Sequence, residues 1–212
     1  FDLASTHSSI RLRQLDVSEA DAALYRILAG HILYANPALR ANAGIILQNR
    51  RGQSGLWGYA ISGDLPIMLL KISDSSHIGL AQCVIQCHSY LKLKGLAFDL
   101  VIWNEDHAGY RQRLQDQINA LIANGSEVKV NDRSGGIFVR SGDQISQDDR
   151  ILLQAAARVI IDDSHGNFAE QLNHKATAKQ RIPRLHASIK TKPERTEPTP
   201  ARVDLLLSNG IG

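Results

Sequence analysis

Residues 48–72 read QNRRGQSGLWGYAISGDLPIMLLKI, and the fold follows from where this stretch changes character. Gly52, Gly55, Gly58 and Gly63 punctuate its first half. Each permits backbone angles that other residues avoid, so the chain is expected to wind tightly here and to touch its neighbours closely. Pro66 lacks a backbone donor and suits the first position of a strand. From Ile67 to Ile72 every residue but Lys71 is apolar, the pattern of a strand covered on both faces. The stretch is therefore a junction between what precedes it and a sheet that begins at Pro66.

Upstream, Ser18 with Asp21 three residues later resembles a helix N-terminal cap. Ala20, Ala23, Leu24, Ile27, Leu28 and Ile32 then recur at helical spacing, which predicts a helix over residues 19–34. Asn36 as a cap and Pro37 in the first turn predict a second helix to about Leu47, with Leu39, Ala43, Ile46 and Leu47 on its apolar side. Residues 1–15, in which Ile10 and Leu12 alternate with Arg11 and Arg13, read as the end of a strand leaving a preceding domain.

Downstream the rhythm becomes strand, helix, strand, helix. The cluster SDSSH at 73–77 leads into a helix in which Leu80, Val84, Cys87 and Leu91 line up, ended at Gly95. A strand over 97–103 and a helix over 109–123 follow, then short β candidates at 128–130 and 136–139 around a hairpin-like turn at Ser134-Gly135-Gly136. A helix over 147–158, a buried strand at 159–161 and a closing helix at 165–172 complete the pattern. Buried strands alternating with amphipathic helices mark parallel α/β layering. The expected fold class is α/β: a small three-layer domain over 53–172 with a mainly parallel sheet of about four strands. A strand end and two-helix connector (1–52) precede it, and a basic Pro-rich linker (173–202) and the start of another domain (203–212) follow.

The net charge of +3 is unevenly spread. Residues 173–204 hold eight Lys or Arg against three acids, leaving 16 against 18 in the remainder. That basic segment also has four of the six prolines and little apolar periodicity, the composition of a linker. It lacks the interleaved aromatics of a nucleic-acid-binding segment, so nucleic acid is not an expected partner. No apolar run approaches the ~20 residues of a membrane helix, and direct membrane insertion is not expected. Cys83 and Cys87 share a helix face, where a disulfide has poor geometry, and read as buried free thiols.

Three strand ends have similar content: Asp74-Ser75-Ser76-His77, Asn104-Glu105-Asp106-His107 and Asp162-Asp163-Ser164-His165. If those strands are neighbours, carboxylates and imidazoles converge where parallel sheets place their sites, as a metal-assisted hydrolase requires. The same Asp, Ser and Asn residues are also helix caps, which accounts for them without chemistry. No compact metal motif, GxGxxG, GxxxxGK[ST] or GxSxG pattern occurs, so neither a metal nor a cofactor is expected. The second candidate set is Arg50, Arg51, Gln53, Trp57, Tyr59 and Asp64. Rings that stack on sugar C–H faces, with planar hydrogen-bonding partners, suit a carbohydrate surface. The plainer reading is that Trp57 and Tyr59 pack and that Asp64 bonds its own turn.

GQSGLWGYAISGDLPI, with LKGLAFDLVIWNE at 93–105, FDLASTHSSIRLRQL at the start and LLLSNGIG at the end, resembles the cyclic β-1,2-glucan synthases. These are large bacterial membrane enzymes whose C-terminal part resembles the phosphorylases of glycoside hydrolase family 94. The resemblance implies a segment lying between carbohydrate-active domains, on the cytoplasmic face of the inner membrane, in a parent that builds cyclic glucan from UDP-glucose. The catalytic modules would lie elsewhere in that parent, and the chain reads as a piece of it. The implied role is a non-catalytic connector whose partners are flanking domains of the same polypeptide, with β-1,2-glucan as the candidate ligand of Arg51, Gln53, Trp57, Tyr59 and Asp64. One departure stands out: Ala60 occupies a place where the resemblance leads one to expect glycine.

Overall fold

The computed structural model describes residues 17–106, 111–124 and 133–173, all within a compact unit spanning Phe1–Thr177. The expected strand end at 1–15, the β candidate at 128–130, His107 and the linker and tail beyond Asn173 lie outside the described residues.

Helix α1, Glu19–Tyr34, starts where Ser18 accepts a hydrogen bond from the Asp21 amide, with Glu19 and Asp21 in the positive first turn. The second expected helix is broken in two. Asn36 caps only a 3₁₀ turn, Pro37–Leu39, and a new cap at Asn42 opens a short helix α2, Ala43–Gln48. Between them Arg40 is extended and sends its guanidinium to the carbonyl of Ala155, 2.9 Å away, a tie that a continuous helix would not make. The glycine-rich junction contains a single-turn helix α3, Ser54–Trp57, which the sequence reading took as a winding turn.

Strand β1, Ile67–Ile72, begins directly after Pro66. The 3₁₀ turn Ser75–His77 runs into helix α4, Ile78–Leu93, and Gly95, at φ +88°, ends it. Strand β2, Asp99–Asn104, is followed by helix α5, Arg111–Asn124, and strand β3, Ile137–Ser141. Helix α6, Gln147–Ala156, strand β4, Ala157–Asp162, and helix α7, Phe168–Asn173, complete the unit. All strand pairs are parallel, in the order β3-β2-β1-β4. The fold is the α/β class expected, and β3 pairs with β2 in parallel.

Even and odd residues of β1 face opposite layers. Met68, Leu70 and Ile72 join Leu100, Ile102, Val159 and Ile161 beneath α1, α4, α5 and α7. Ile67 and Leu69 join Val101, Trp103 and Phe138 beneath α3 and α6. Strand β4 changes parity through a bulge: Ile67 pairs with Ala157 but Met68 with Val159, leaving Arg158 unpaired and exposed. That extra residue lets Ala157 face one layer while Val159 and Ile161 face the other. Each fully buried aliphatic side chain contributes about 1.5–3 kcal/mol, so burial on both faces outweighs local propensity in fixing β1. Helix α1, set ahead of the domain in the sequence reading, shares the core of the even face through Tyr25, Leu28 and Ile32.

Candidate functional site

The junction residues are spent largely on one another and on α6. Gln53 Nε2 donates to the carbonyl of Ser62 at 2.8 Å and to Asp64 Oδ1 at 3.0 Å, and Trp57 Nε1 donates to the same Ser62 carbonyl at 3.3 Å. Arg51 Nη1 reaches Asp149 Oδ1 at 2.6 Å, and Tyr59 Oη donates to Asp149 Oδ2 at 2.9 Å. Asp149 sits in the first turn of α6, where Ser146 caps the helix by accepting from the Asp149 amide and donates its hydroxyl to Oδ2. Burial alone would raise the Asp149 pKa. The bonds from Ser146 and Tyr59 and the charge of Arg51 outweigh it and hold the carboxyl below its usual range. Burial, and then the bond to Asp149, push the Tyr59 phenol up.

Close approach explains two junction glycines. A Cβ on Gly55 would lie 2.6 Å from Leu152 Cδ2 on α6, and Gly63 at φ +76° would meet Gln53 Cγ at 2.9 Å. Gly58 has ordinary helical angles at φ −60°, so freedom is not its role. Ala60, however, is left-handed at φ +61°, a conformation that costs a β-carbon about 1–2 kcal/mol. Of the six candidate junction residues, Arg51, Gln53, Trp57, Tyr59 and Asp64 make intramolecular bonds and Arg50 is exposed; Trp57, bonded only through Nε1, remains 64% exposed.

At the carboxyl ends of the strands, β2, β1 and β4 are neighbours as the sharper reading required. Asp74 and Asp162 are caps: each accepts from the amide two residues on, Ser76 at 2.8 Å and Ser164 at 3.0 Å. Asn104 accepts from the Asp106 amide at 3.1 Å. Among the described residues no group of three or more His, Cys, Asp or Glu side chains is arranged to hold a metal. Asp163 has a different role. Its Oδ2 accepts from the amides of Ser73 at 2.8 Å and Asp74 at 3.2 Å, and lies 3.2 Å from His77 Nδ1. An ionised carboxylate only accepts, so Nδ1 carries the shared proton and Nε2 is the ring's remaining polar atom. The Asp163 side chain is 4% exposed and that of His77 50%, so the pair joins a buried carboxylate to an accessible imidazole.

This pair stands at the topological switch point. Helices α4 and α5 cover one face and α6 the other, so the winding reverses between β1 and β4. Parallel sheets place ligands at this position. A cavity of about 560 Å³ opens there between α1, the start of α4 and the loop after β4, lined by His77 and Asp163 among others. The sequence reading named both residues without pairing them; their pairing depends on β4 lying beside β1, which no local signal records. The two thiols are free as expected, Cys83 half-buried and Cys87 buried. Beside them His88 is buried, with Nε2 3.1 Å from the Phe98 carbonyl.

Fold and site define a doubly wound parallel α/β domain with a cleft at its switch point. No family model matches the chain. It is 30% identical over 173 residues, 80% of its length, to the cyclic β-(1,2)-glucan synthase NdvB of Rhizobium meliloti (strain 1021). The chain is thus related to the cyclic β-1,2-glucan synthases, in agreement with the resemblance read from GQSGLWGYAISGDLPI. The chain spans 6% of the length of that relative. No helix among the described residues is long and apolar enough to cross a membrane.

Proposed function

We propose that this chain is a non-catalytic connector within a cyclic β-1,2-glucan synthase-like enzyme, holding flanking carbohydrate-active domains in fixed relative positions. The parent would transfer glucosyl units from UDP-glucose into cyclic β-1,2-glucan at the cytoplasmic face of the inner membrane, with a C-terminal part like the phosphorylases of glycoside hydrolase family 94. The observation that carries this reading is the use of Arg51 and Tyr59 to lock the junction onto Asp149 of α6. Both donors serve the fold at the junction, which supports a structural use of this stretch. In a synthase carrying this segment, Gln53→Ala, Asp64→Ala and His165→Gln are expected to keep cyclic glucan synthesis within about twofold of wild type. Leu69→Asp, which puts a charge into the sheet, is expected to abolish it. Loss of synthesis in any of the first three variants, with folding intact, would refute the connector reading.

A second reading, a glucan-binding surface, rests on the exposed Trp57 ring. A saturable change in tryptophan fluorescence with β-1,2-glucan, absent in Trp57→Ala, would establish it. An unchanged spectrum up to about 1 mM glucan would dismiss it.

A further inference from the structure

We infer that the cavity at the switch point between β1 and β4 is a binding site for a small, uncharged, polyhydroxylated ligand of about one or two pyranose rings. This goes beyond the connector reading and does not depend on it. The cavity, about 560 Å³, falls within the roughly 300–1,000 Å³ of ordinary small-molecule sites. Its lining decides the chemistry. Leu24, Leu80 and Phe168 supply an apolar wall against which the C–H face of a ring would lie. Asp21, His77 and Asn167 supply polar groups of both kinds. Asp21 receives the Ser18 hydroxyl on Oδ2 at 2.6 Å, which leaves Oδ1 to accept from a ligand hydroxyl. Asn167 binds the Glu170 amide through Oδ1 at 2.9 Å, which leaves its Nδ2 to donate. Asp163 fixes the imidazole through Nδ1, so His77 meets the ligand with Nε2.

Charge disfavours anionic rivals, and a cation would find both carboxylates already engaged, Asp163 by the Ser73 and Asp74 amides and His77, Asp21 by the Ser18 hydroxyl. Among the described residues no Lys or Arg lines the cavity, while Asp21 and Asp163 do, so a phosphate or carboxylate would meet repulsion without a compensating cation. A purely apolar ligand would cover Asp21 and His77 without replacing their hydrogen bonds to water, an unfavourable exchange. A neutral polyol with one C–H face satisfies both sides of the lining.

The test is an amide-resolved NMR titration of the full chain with glucose and with the β-1,2-linked disaccharide sophorose, and with inorganic phosphate as the anionic probe. The expected result is saturable shifts at Ser76, Gly79, Gly166 and Asn167 with at least one sugar, and none with phosphate. Leu80→Trp, which fills the cavity, and His77→Ala, at an exposed position, are each expected to weaken binding at least about tenfold. Trp57→Ala should leave it unchanged. If Leu80→Trp fails to fold, His77→Ala decides alone. No saturation at about 0.1 M sugar would overturn the proposal, as would shifts with phosphate alone, or shifts abolished by Trp57→Ala but retained in His77→Ala.

Discussion

Tyr59 donates its phenol to Asp149 Oδ2 at 2.9 Å, joining the glycine-rich junction to the first turn of α6 across 90 residues of sequence. With Arg51 on Oδ1 and Ser146 beside Tyr59 on Oδ2, the carboxylate receives three side-chain donors. One residue thus caps a helix and secures the segment that leads into the sheet. Replacing Asp149 by alanine removes the acceptor shared by the Tyr59 phenol, the Ser146 hydroxyl and the half-exposed Arg51 guanidinium, and the expected loss is about 2–3 kcal/mol. Tyr59→Phe removes one donor and should cost about 1 kcal/mol. Urea unfolding of both variants checks the order; equal losses would show that the phenol carries the whole connection.

Ala60 is the one junction position where the residue opposes its backbone, at φ +61°. Ala60→Gly relieves about 1–2 kcal/mol of left-handed strain and returns part of it through greater freedom of the unfolded chain. A net gain of about 0.5–1 kcal/mol is expected, read as a higher thermal midpoint. Gly63→Ala should move the other way, because its Cβ would lie 2.9 Å from Gln53 Cγ as well as at positive φ.

Two carboxylates give opposite pH dependences. The folded pKa of Asp149 is held below its ordinary value, roughly 3.9. Its bonds therefore contribute fully above that value, and the contribution is lost as pH falls through the folded pKa beneath it. Asp99 is raised by burial, against the amides of Gly135 and Gly136. The folded state holds that proton more tightly, so stability declines as pH rises from about 3.9 toward the higher folded value. Urea midpoints measured against pH should show a shallower acid limb in Asp149→Asn, where Asp162 still contributes, and a weaker decline on the alkaline side of it in Asp99→Asn.

Asp163 ties the end of β4 to the end of β1 through the Ser73 and Asp74 amides and the Ser73 hydroxyl. Asp163→Ala leaves those donors and His77 without this acceptor, and a loss of about 3 kcal/mol is expected. Asp163→Asn keeps one acceptor oxygen and should lose less. Comparable losses in the two variants would mean that charge, and not hydrogen bonding, holds the strand ends together.

Strong local signals were legible in the sequence. Helix α1 has an unbroken apolar period behind a Ser cap, and β1 is an apolar run behind a proline, so both were read with their observed bounds. The breaks arose where tertiary contacts decide. The 157–158 pair read as helical because Arg158 interrupts the apolar pattern, yet a bulge puts that residue outside the ladder and starts β4 at Ala157. Helix α3 is too short for a period to show. Capping by Asp74 and Asp162 was legible because it is local; the His77–Asp163 pair was not, because it spans 86 residues. Several of the junction candidates bond to one another or to α6, which composition alone does not reveal.

The most direct measurement of the connector reading is the distance distribution between spin labels on the two domains flanking this segment in a synthase that carries it. A rigid connector predicts one narrow distance in the wild type, broadened when Asp149→Ala releases the junction from α6. A broad wild-type distribution, or a narrow one indifferent to Asp149→Ala, would contradict it.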